Sequence, residues 1–389
     1  MENQPLDGLI VADFARILAG PLVTQNLADL GARVIKVERP GTGDDTRSWG
    51  PPFRGDLATY FTAVNRGKES IALDFKDPDD LEVARRLAER ADVLVENFRP
   101  GLMDGFGLGY ESLSSSNSKL VYCSISAFGD QGEGAGLPGV DLLIQAMAGW
   151  MHVTGQIEGP PTKVGMAVVD VLAGMYATSG VLAALFQRSG NGGVGQRVHV
   201  SLYEAALSGL INLASGHLLT GDDPQRNGNR HPSIAPYELF QAADRPFVLA
   251  AVNDSLFART CEAIGCPSLA VDPRFDTNPH RRTNVEELVV ELEATFRTRA
   301  ASHWIKLLRA ARVPVGDVNT VPEAFELADE LGLDVVGEDV ATGSRGLRSP
   351  IQLSGSTLVP LVVSPALDAD GDLIRRWLGV GQATRQDFD

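Results

Sequence analysis

One carboxylate stands out by its surroundings. Asp170 interrupts the apolar run from Ala167 to Phe186, AVVDVLAGMYATSGVLAALF. Burying an ionised carboxylate costs several kcal/mol unless hydrogen bonds or charge satisfy it. At the start of a helix two roles are open. One is a capping or first-turn aspartate, stabilised by free backbone N–H groups and the helix dipole by ~0.3–1 kcal/mol. The other is a carboxylate nucleophile, kept ionised by the same helix start and made reactive by loss of water. Position alone does not separate them. A second set is basic: Lys36, Arg39, Arg47, Arg66, Lys68 and Arg99 crowd the first hundred residues. Lys36 and Arg39 fall at the carboxyl end of an expected strand and Arg99 follows another. Ligands of open α/β sheets bind at that edge, and guanidinium groups there suit phosphate. A solvated charged face is the other reading. Asn97 and Phe98 add an amide and an aromatic face that could hold a nucleotide base.

Other chemistries lack their motifs. The turn after the first expected strand, ARILAGPL, has no G-x-G-x-x-G, so a dinucleotide fingerprint is missing where it would have to be. There is no P-loop and no G-x-S-x-G elbow. The six histidines, at positions 152, 199, 217, 231, 280 and 303, have no metal-site spacing, so no metal is expected. Cys123, Cys261 and Cys266 form neither a disulfide framework nor a CxxC pair, which fits a reducing compartment. The first residues, MENQPLDG, show no basic and apolar leader pattern, and a cytoplasmic location is expected. The 50 acidic residues against 34 basic ones give a net charge of −16. That balance speaks against duplex nucleic acid but not against one anionic ligand.

These side chains need elements to position them. The 389 residues, 44% hydrophobic, suit two domains or one large one. Leu9–Phe14, a helix over 22–30 stopped by Gly31, and Val34–Val37 read as a β-α-β unit. Strands follow over 70–75, 93–98 and 119–126, with an amphipathic helix over 81–91. The Asp170 segment is long enough to cross a bilayer, but its aspartate and small residues favour a buried helix of a soluble protein. Arg197–Leu202 is one more strand, and the polar stretch 221–233 is the best linker. A hairpin over 237–253 and helices over 256–264, 284–295 and 301–311 predict a smaller α+β domain, with a final helix over 366–378. The fold class is α/β: a large domain over 1–221, completed by 322–389, and a small domain over 222–321.

The ordered segments LDGLIVADFARILAGPL, GARVIKVERPGTGDDTR, NRGKESIALDFK, DVLVENFRPG, PGVDLLIQAMAG and GQRVHVSLYEA resemble the class III CoA-transferase family, of the formyl-CoA transferase and carnitine CoA-transferase type. NGNRHPSIAPYELF, DPRFDTNPHR and VPVGDVNTVPEA extend the likeness over at least 320 residues. The resemblance implies that Asp170 is the catalytic nucleophile. It also implies coenzyme A contacts from Ile17, Leu18 and Ala19, from Arg39 with the nucleotide phosphates, from Leu73, Asp74, Phe75 and Lys76, from Asn97, Phe98 and Arg99, and from Asp141. Its fold would be a Rossmann-like large domain plus a small domain, two chains threading as interlocked rings in a homodimer. Coenzyme A would be a co-substrate, with no tightly bound cofactor. The partners would be an acyl-CoA, succinyl-CoA among the donors, and a small carboxylic acid, with no nucleic acid or membrane. The chain departs from the family at Gly105 and Pro138, where some members carry arginine and lysine. A glycine-rich lid is not evident beyond Asn227-Gly228-Asn229, which speaks against oxalate as acceptor. The related α-methylacyl-CoA racemases carry a histidine in the loop that here reads Gly139-Val140-Asp141. Valine moves no proton, so racemisation is the alternative function, with His152 as the conceivable stand-in.

Overall fold

A computed structural model describes residues 4–380. Met1–Asn3 and residues 381–389, the last of which fall in the expected large domain, lie outside the described residues. The chain divides into two compact units. Of the described residues, the larger holds 4–150, Val164–Asp222 and 334–380. The smaller holds Met151–Lys163 and Asp223–Leu333. The short excursion over 151–163 carries no composition shift that would mark it in the sequence.

The larger unit is built on six parallel strands: β1 (Ile10–Asp13), β2 (Arg33–Glu38), β3 (Glu69–Ala72), β4 (Val93–Glu96), β5 (Val121–Ser126) and β6 (Arg197–Ser201). Their order in space is β3-β2-β1-β4-β5-β6. Ala12 lies opposite Ile35 on one side and Leu94 on the other. The central strands are apolar without alternation because helices cover both faces of a parallel sheet. Helix α1 (Ala19–Asp29) and, further along the chain, helix α4 (Val168–Gly190) cover one face, burying Val23, Leu27, Ala173 and Ala177 against Val93 and Val95. Helix α2 (Pro78–Arg90) and the last helix, α10 (Gly371–Leu378), cover the other, packing Val83, Leu87, Ile374 and Leu378 on Ile71 and Leu94. Strands β2 and β3 lie on one side of β1, while β4, β5 and β6 lie on the other. The order therefore reverses between β1 and β4, which opens a crevice at their carboxyl ends.

Two elements differ from expectation in ways that matter for the site. Helix α1 starts at Ala19, three residues earlier than predicted, because Pro21 is tolerated inside the first turn, where its missing N–H has no partner to lose. Helix α4 is longer than predicted and is not buried all round. Val169, Ala173, Ala177, Val181 and Ala184 form its inner stripe, while Phe186 is 83% exposed. It is the one described helix long and apolar enough to cross a membrane, and the inner stripe packs on the sheet. The helix α3 (Asp141–Met147) just before it, and α5 (Leu202–Gly209) and α6 (Asn212–Thr220) after it, complete this part of the unit.

In the smaller unit β7 (Tyr237–Gln241), β8 (Pro246–Ala250) and β9 (Val315–Asp317) form an antiparallel sheet. Helices α7 (Asp254–Ala263), α8 (Val285–Phe296) and α9 (Ala301–Ala310) pack with it. Phe240, Phe247 and Trp304 meet Phe296 edge-on at 5.0–5.6 Å, the geometry the aromatic quadrupole favours.

Candidate active site

Asp170 is the third residue of α4. The residue at the cap position, Ala167, has no side chain to accept from the free N–H groups of the first turn. Asp141, at the start of α3, does so instead. Its Oδ1 accepts from the N–H of Val169 at 2.8 Å and of Asp170 at 3.4 Å. Its Oδ2 accepts from Gln145 Nε2 at 2.6 Å. The fully buried Gln145 accepts in turn from the N–H of Val164 at 2.9 Å. Asp141 is thus the cap of the helix that carries Asp170, a role the sequence hides because cap and helix are 29 residues apart.

With the capping position taken, Asp170 is left uncommitted. Neither of its carboxylate oxygens makes a hydrogen bond or ion pair among the described residues. Burial first, and then the charge of Asp141, push its carboxyl up to about 7. The expectation that the helix start alone keeps this group ionised is therefore corrected: desolvation and a like charge outweigh the dipole. The result is a carboxylate free to attack and poorly stabilised as an anion, which is what a nucleophile needs. Tyr60, missed in the sequence, belongs to the same neighbourhood. Its phenol is pushed up by burial and then by Asp170, Asp141 and Asp44, and its ring meets Trp49 edge-on at 5.6 Å.

A close helix contact sets the segment that carries Asp170 against the start of α1. A Cβ on Gly174, one turn further along α4, would lie 2.9 Å from the Ala19 carbonyl oxygen and 3.1 Å from Leu22 Cδ2. Only glycine lets α4 approach the start of α1 this closely. The turn leading into α1 is held as tightly. Ile17 sits at φ 71°, a left-handed conformation rare for a β-branched residue and costing of order 1–3 kcal/mol. Side chains from four segments fix it. Asp13 accepts from the N–H of Ala15 at 3.0 Å. Lys36 donates to the carbonyl of Ala15 at 2.9 Å. Asp44 accepts from the N–H of Ile17 at 3.2 Å. Asn97 spends its amide on Arg16, accepting from its N–H at 2.8 Å and donating to its carbonyl at 2.7 Å.

A cavity of about 410 Å³ lies at the carboxyl ends of β1 to β4. Arg39, Leu73, Asp74, Phe75, Lys76 and Phe98, all singled out in the sequence, line it together with Arg16. Ile17, Leu18 and Ala19 lie at its edge in sequence, in the strained turn and at the start of α1, and do not line it. Arg99 lines two neighbouring cavities instead, one of them with Gly105. The basic set shrinks on folding. Lys36 pairs with Asp44 at 3.0 Å and Lys68 with Asp13 at 2.9 Å, all four side chains fully buried. Arg47 pairs with Glu38 and Arg66 with Asp29. These cations hold the framework, and Arg39 and Lys76 are left at the groove. Among the described residues no cluster of metal-ligating side chains occurs.

The chain finds counterparts among known proteins. The model of CoA-transferase family III matches residues 6–371. The acetyl-CoA:oxalate CoA-transferase of Acetobacter aceti is 41% identical, with 97% of each chain covered. The succinyl-CoA:glutarate CoA-transferase of Mus musculus is 39% identical over 86% of this chain and 77% of its own. The crystal structure of a CAIB/BAIF family protein from Brucella suis superposes with a TM-score of 0.87 at 41% identity, covering 97% of this chain and all of that one. The chain belongs to CoA-transferase family III and is a CoA-transferase.

Proposed function

We propose that this enzyme moves coenzyme A from an acyl-CoA to a small carboxylic acid through covalent intermediates on Asp170. The carboxylate attacks the thioester carbonyl, and the C–S bond breaks to give an acyl-aspartyl anhydride and CoA thiolate. The thiolate then attacks the aspartyl carbonyl, expelling the donor acid and leaving an aspartyl-CoA thioester. An acceptor carboxylate attacks that thioester to form a new anhydride, and the thiolate returns to the acceptor's acyl carbon. Asp170 is regenerated, and no ATP is consumed because each intermediate is activated to a similar degree. The observation that carries this reading is the free, desolvated Asp170 carboxylate beside a cap that leaves it uncommitted. Backbone N–H groups at the start of α1, close to α4 through Gly174, suit the tetrahedral oxyanions.

The substrate class follows from chemistry and relatives together. The groove offers cations for phosphates and aromatic rings for a base, as an acyl-CoA requires, and coenzyme A enters as substrate rather than as a resident cofactor. The relatives act on oxalate and glutarate and draw on acetyl-CoA and succinyl-CoA, so a small dicarboxylate is the acceptor class. Oxalate falls within that class despite the missing glycine-rich lid, since a relative named for it is similar over nearly the whole chain. The strand order supports a Rossmann-like larger unit. Leu142, Leu143, Met147, Phe186, Leu218 and Leu219 are exposed, and a second chain covering such side chains supports the interlocked homodimer. Three free cysteines support a cytoplasmic setting. Racemisation gains nothing: Val140 moves no proton, and His152 faces Asp223 at 3.6 Å.

The test is direct. Incubating the protein with succinyl-CoA or acetyl-CoA and mapping peptides should reveal an acyl or CoA adduct on Asp170, and Asp170→Ala should lose both adduct and exchange. Full transfer by that variant would overturn the proposal. Deuterium entering the substrate α-carbon without any acceptor would point to racemisation instead.

A further inference from the structure

Arg16 was not among the residues the sequence singled out, yet the fold treats it with unusual care. It lies in the turn between β1 and α1, at the crevice where the strand order reverses. Both of its backbone polar groups are held by one side chain, the amide of Asn97, at 2.8 and 2.7 Å. Its guanidinium carbon lies 4.6 Å from the centre of the Phe98 ring, so the planar group is laid on an aromatic face, a geometry worth about 0.5–2 kcal/mol. Backbone and side chain are therefore both set before any ligand arrives.

The contrast with its neighbours is informative. Lys36, Arg47, Arg66 and Lys68 each hold a carboxylate. Arg39 pairs with Asp45 and donates to the carbonyl of Gly43. The Arg16 guanidinium makes no hydrogen bond and no ion pair among the described residues, although it is half-buried and lines the same cavity as Arg39 and Lys76. Burial, and then the charge of Arg39, work against its protonation and outweigh the nearby charges of Asp45 and Asp44, neither of which pairs with it. A guanidinium kept charged, stacked and unpaired beside a second cation is poorly stabilised until an anion joins it. An anion with several oxygens satisfies its fork of donors.

We infer that Arg16 binds a phosphate of the nucleotide end of the acyl-CoA, completing with Arg39 and Lys76 a three-cation site on the groove. This rests on the proposed function, which makes acyl-CoA the occupant. The 3′-phosphate and the pyrophosphate share the required chemistry, and the test separates them.

Calorimetric binding of CoA, 3′-dephospho-CoA and pantetheine to the wild-type protein, Arg16→Ala and Arg16→Lys provides it. Losing charge-assisted hydrogen bonds should weaken CoA binding by roughly 10- to 100-fold in Arg16→Ala. Arg16→Lys keeps the charge without the planar fork and should fall between, which also guards against misfolding of the alanine variant. If Arg16 meets the 3′-phosphate, wild type binds 3′-dephospho-CoA at least as weakly as Arg16→Ala binds CoA, and the substitution leaves 3′-dephospho-CoA binding unchanged. If it meets the pyrophosphate, both nucleotides weaken equally and pantetheine is unaffected. Normal CoA affinity in the wild type with an Arg16→Ala affinity within two-fold of it overturns the inference alone. A wild type that binds no CoA overturns the proposed function and this inference with it.

Discussion

Replacing Asp170 with asparagine should abolish exchange and, at pH 8, make the protein more stable. The second half follows from the site. A carboxyl raised from its ordinary value of 3.8 to about 7 is easier to ionise in the unfolded chain than in the folded one. At about 1.36 kcal/mol per pH unit, ionising it in place costs up to roughly 4 kcal/mol. Asparagine keeps the shape and removes the charge beside Asp141. Between about pH 4 and pH 7 the folded wild type binds more protons at this position than the unfolded chain. Its stability therefore falls as pH rises through that window and levels off above it. The advantage of Asp170→Asn should be small near pH 4, grow toward pH 7 and stay constant beyond. Thermal melts of both proteins from pH 4.5 to 8.5 would read this as a gap of several degrees opening with pH. A gap that does not change with pH, or a variant that melts lower at pH 8, would refute the reasoning that desolvation and Asp141 govern Asp170.

Two further substitutions test the supports of the site. Lys36→Met leaves Asp44 charged and without its ion-pair partner in a fully buried place, which costs roughly 3–5 kcal/mol. Asp44 is held below the usual carboxylate range, by Lys36 and Thr46 against the effect of burial. Without Lys36 the effect of burial is unopposed by a cation, so the stability lost in the variant should shrink toward acid pH as Asp44 takes up a proton, visible in urea melts at pH 7 and pH 3.5. Gly174→Ala gains about 1 kcal/mol of helix propensity but drives its Cβ against the Ala19 carbonyl at 2.9 Å. Overpacking against backbone costs roughly 1–3 kcal/mol, so the variant should melt slightly lower. Because the contact sets α1 against α4, its exchange rate should fall by more than its stability suggests.

How far the sequence reaches is clear from particular residues. The parallel strands and the position of Asp170 were legible because apolar runs and a carboxylate inside one are local signals. The groove residues 73–76 and Phe98 were legible through motif likeness. Pairing was not. Lys36 and Lys68 look like phosphate ligands in the sequence and become buried framework cations, since Asp13 is 55 residues from Lys68 and Asp44 meets Lys36 only when the loop after β2 folds back on its strand. Asn97 looks like a base contact and is spent on the Arg16 backbone. Arg16 itself was invisible because its value lies in what it lacks, a carboxylate partner, and that is a property of the fold.

The neighbouring carboxylates bear on the direction of the proposed reaction as well as on its pH dependence. An acyl-aspartyl anhydride offers the CoA thiolate two carbonyls. Attack on the acyl carbon expels Asp170, and attack on the aspartyl carbon expels the donor acid. A free small acid has an ordinary carboxyl, near 4, whereas Asp170 sits at about 7 and would be released as an anion beside Asp141. The weaker base leaves faster, so the site favours passage forward to the aspartyl-CoA thioester over return to the donor. Asp141→Asn keeps an oxygen to cap α4 while removing the like charge. It should move the acid limb of kcat/KM to lower pH and, in rapid-quench peptide mapping, lower the ratio of CoA-bearing to acyl-bearing Asp170. An unchanged ratio together with a shifted acid limb would show that the cap tunes ionisation without steering the anhydride.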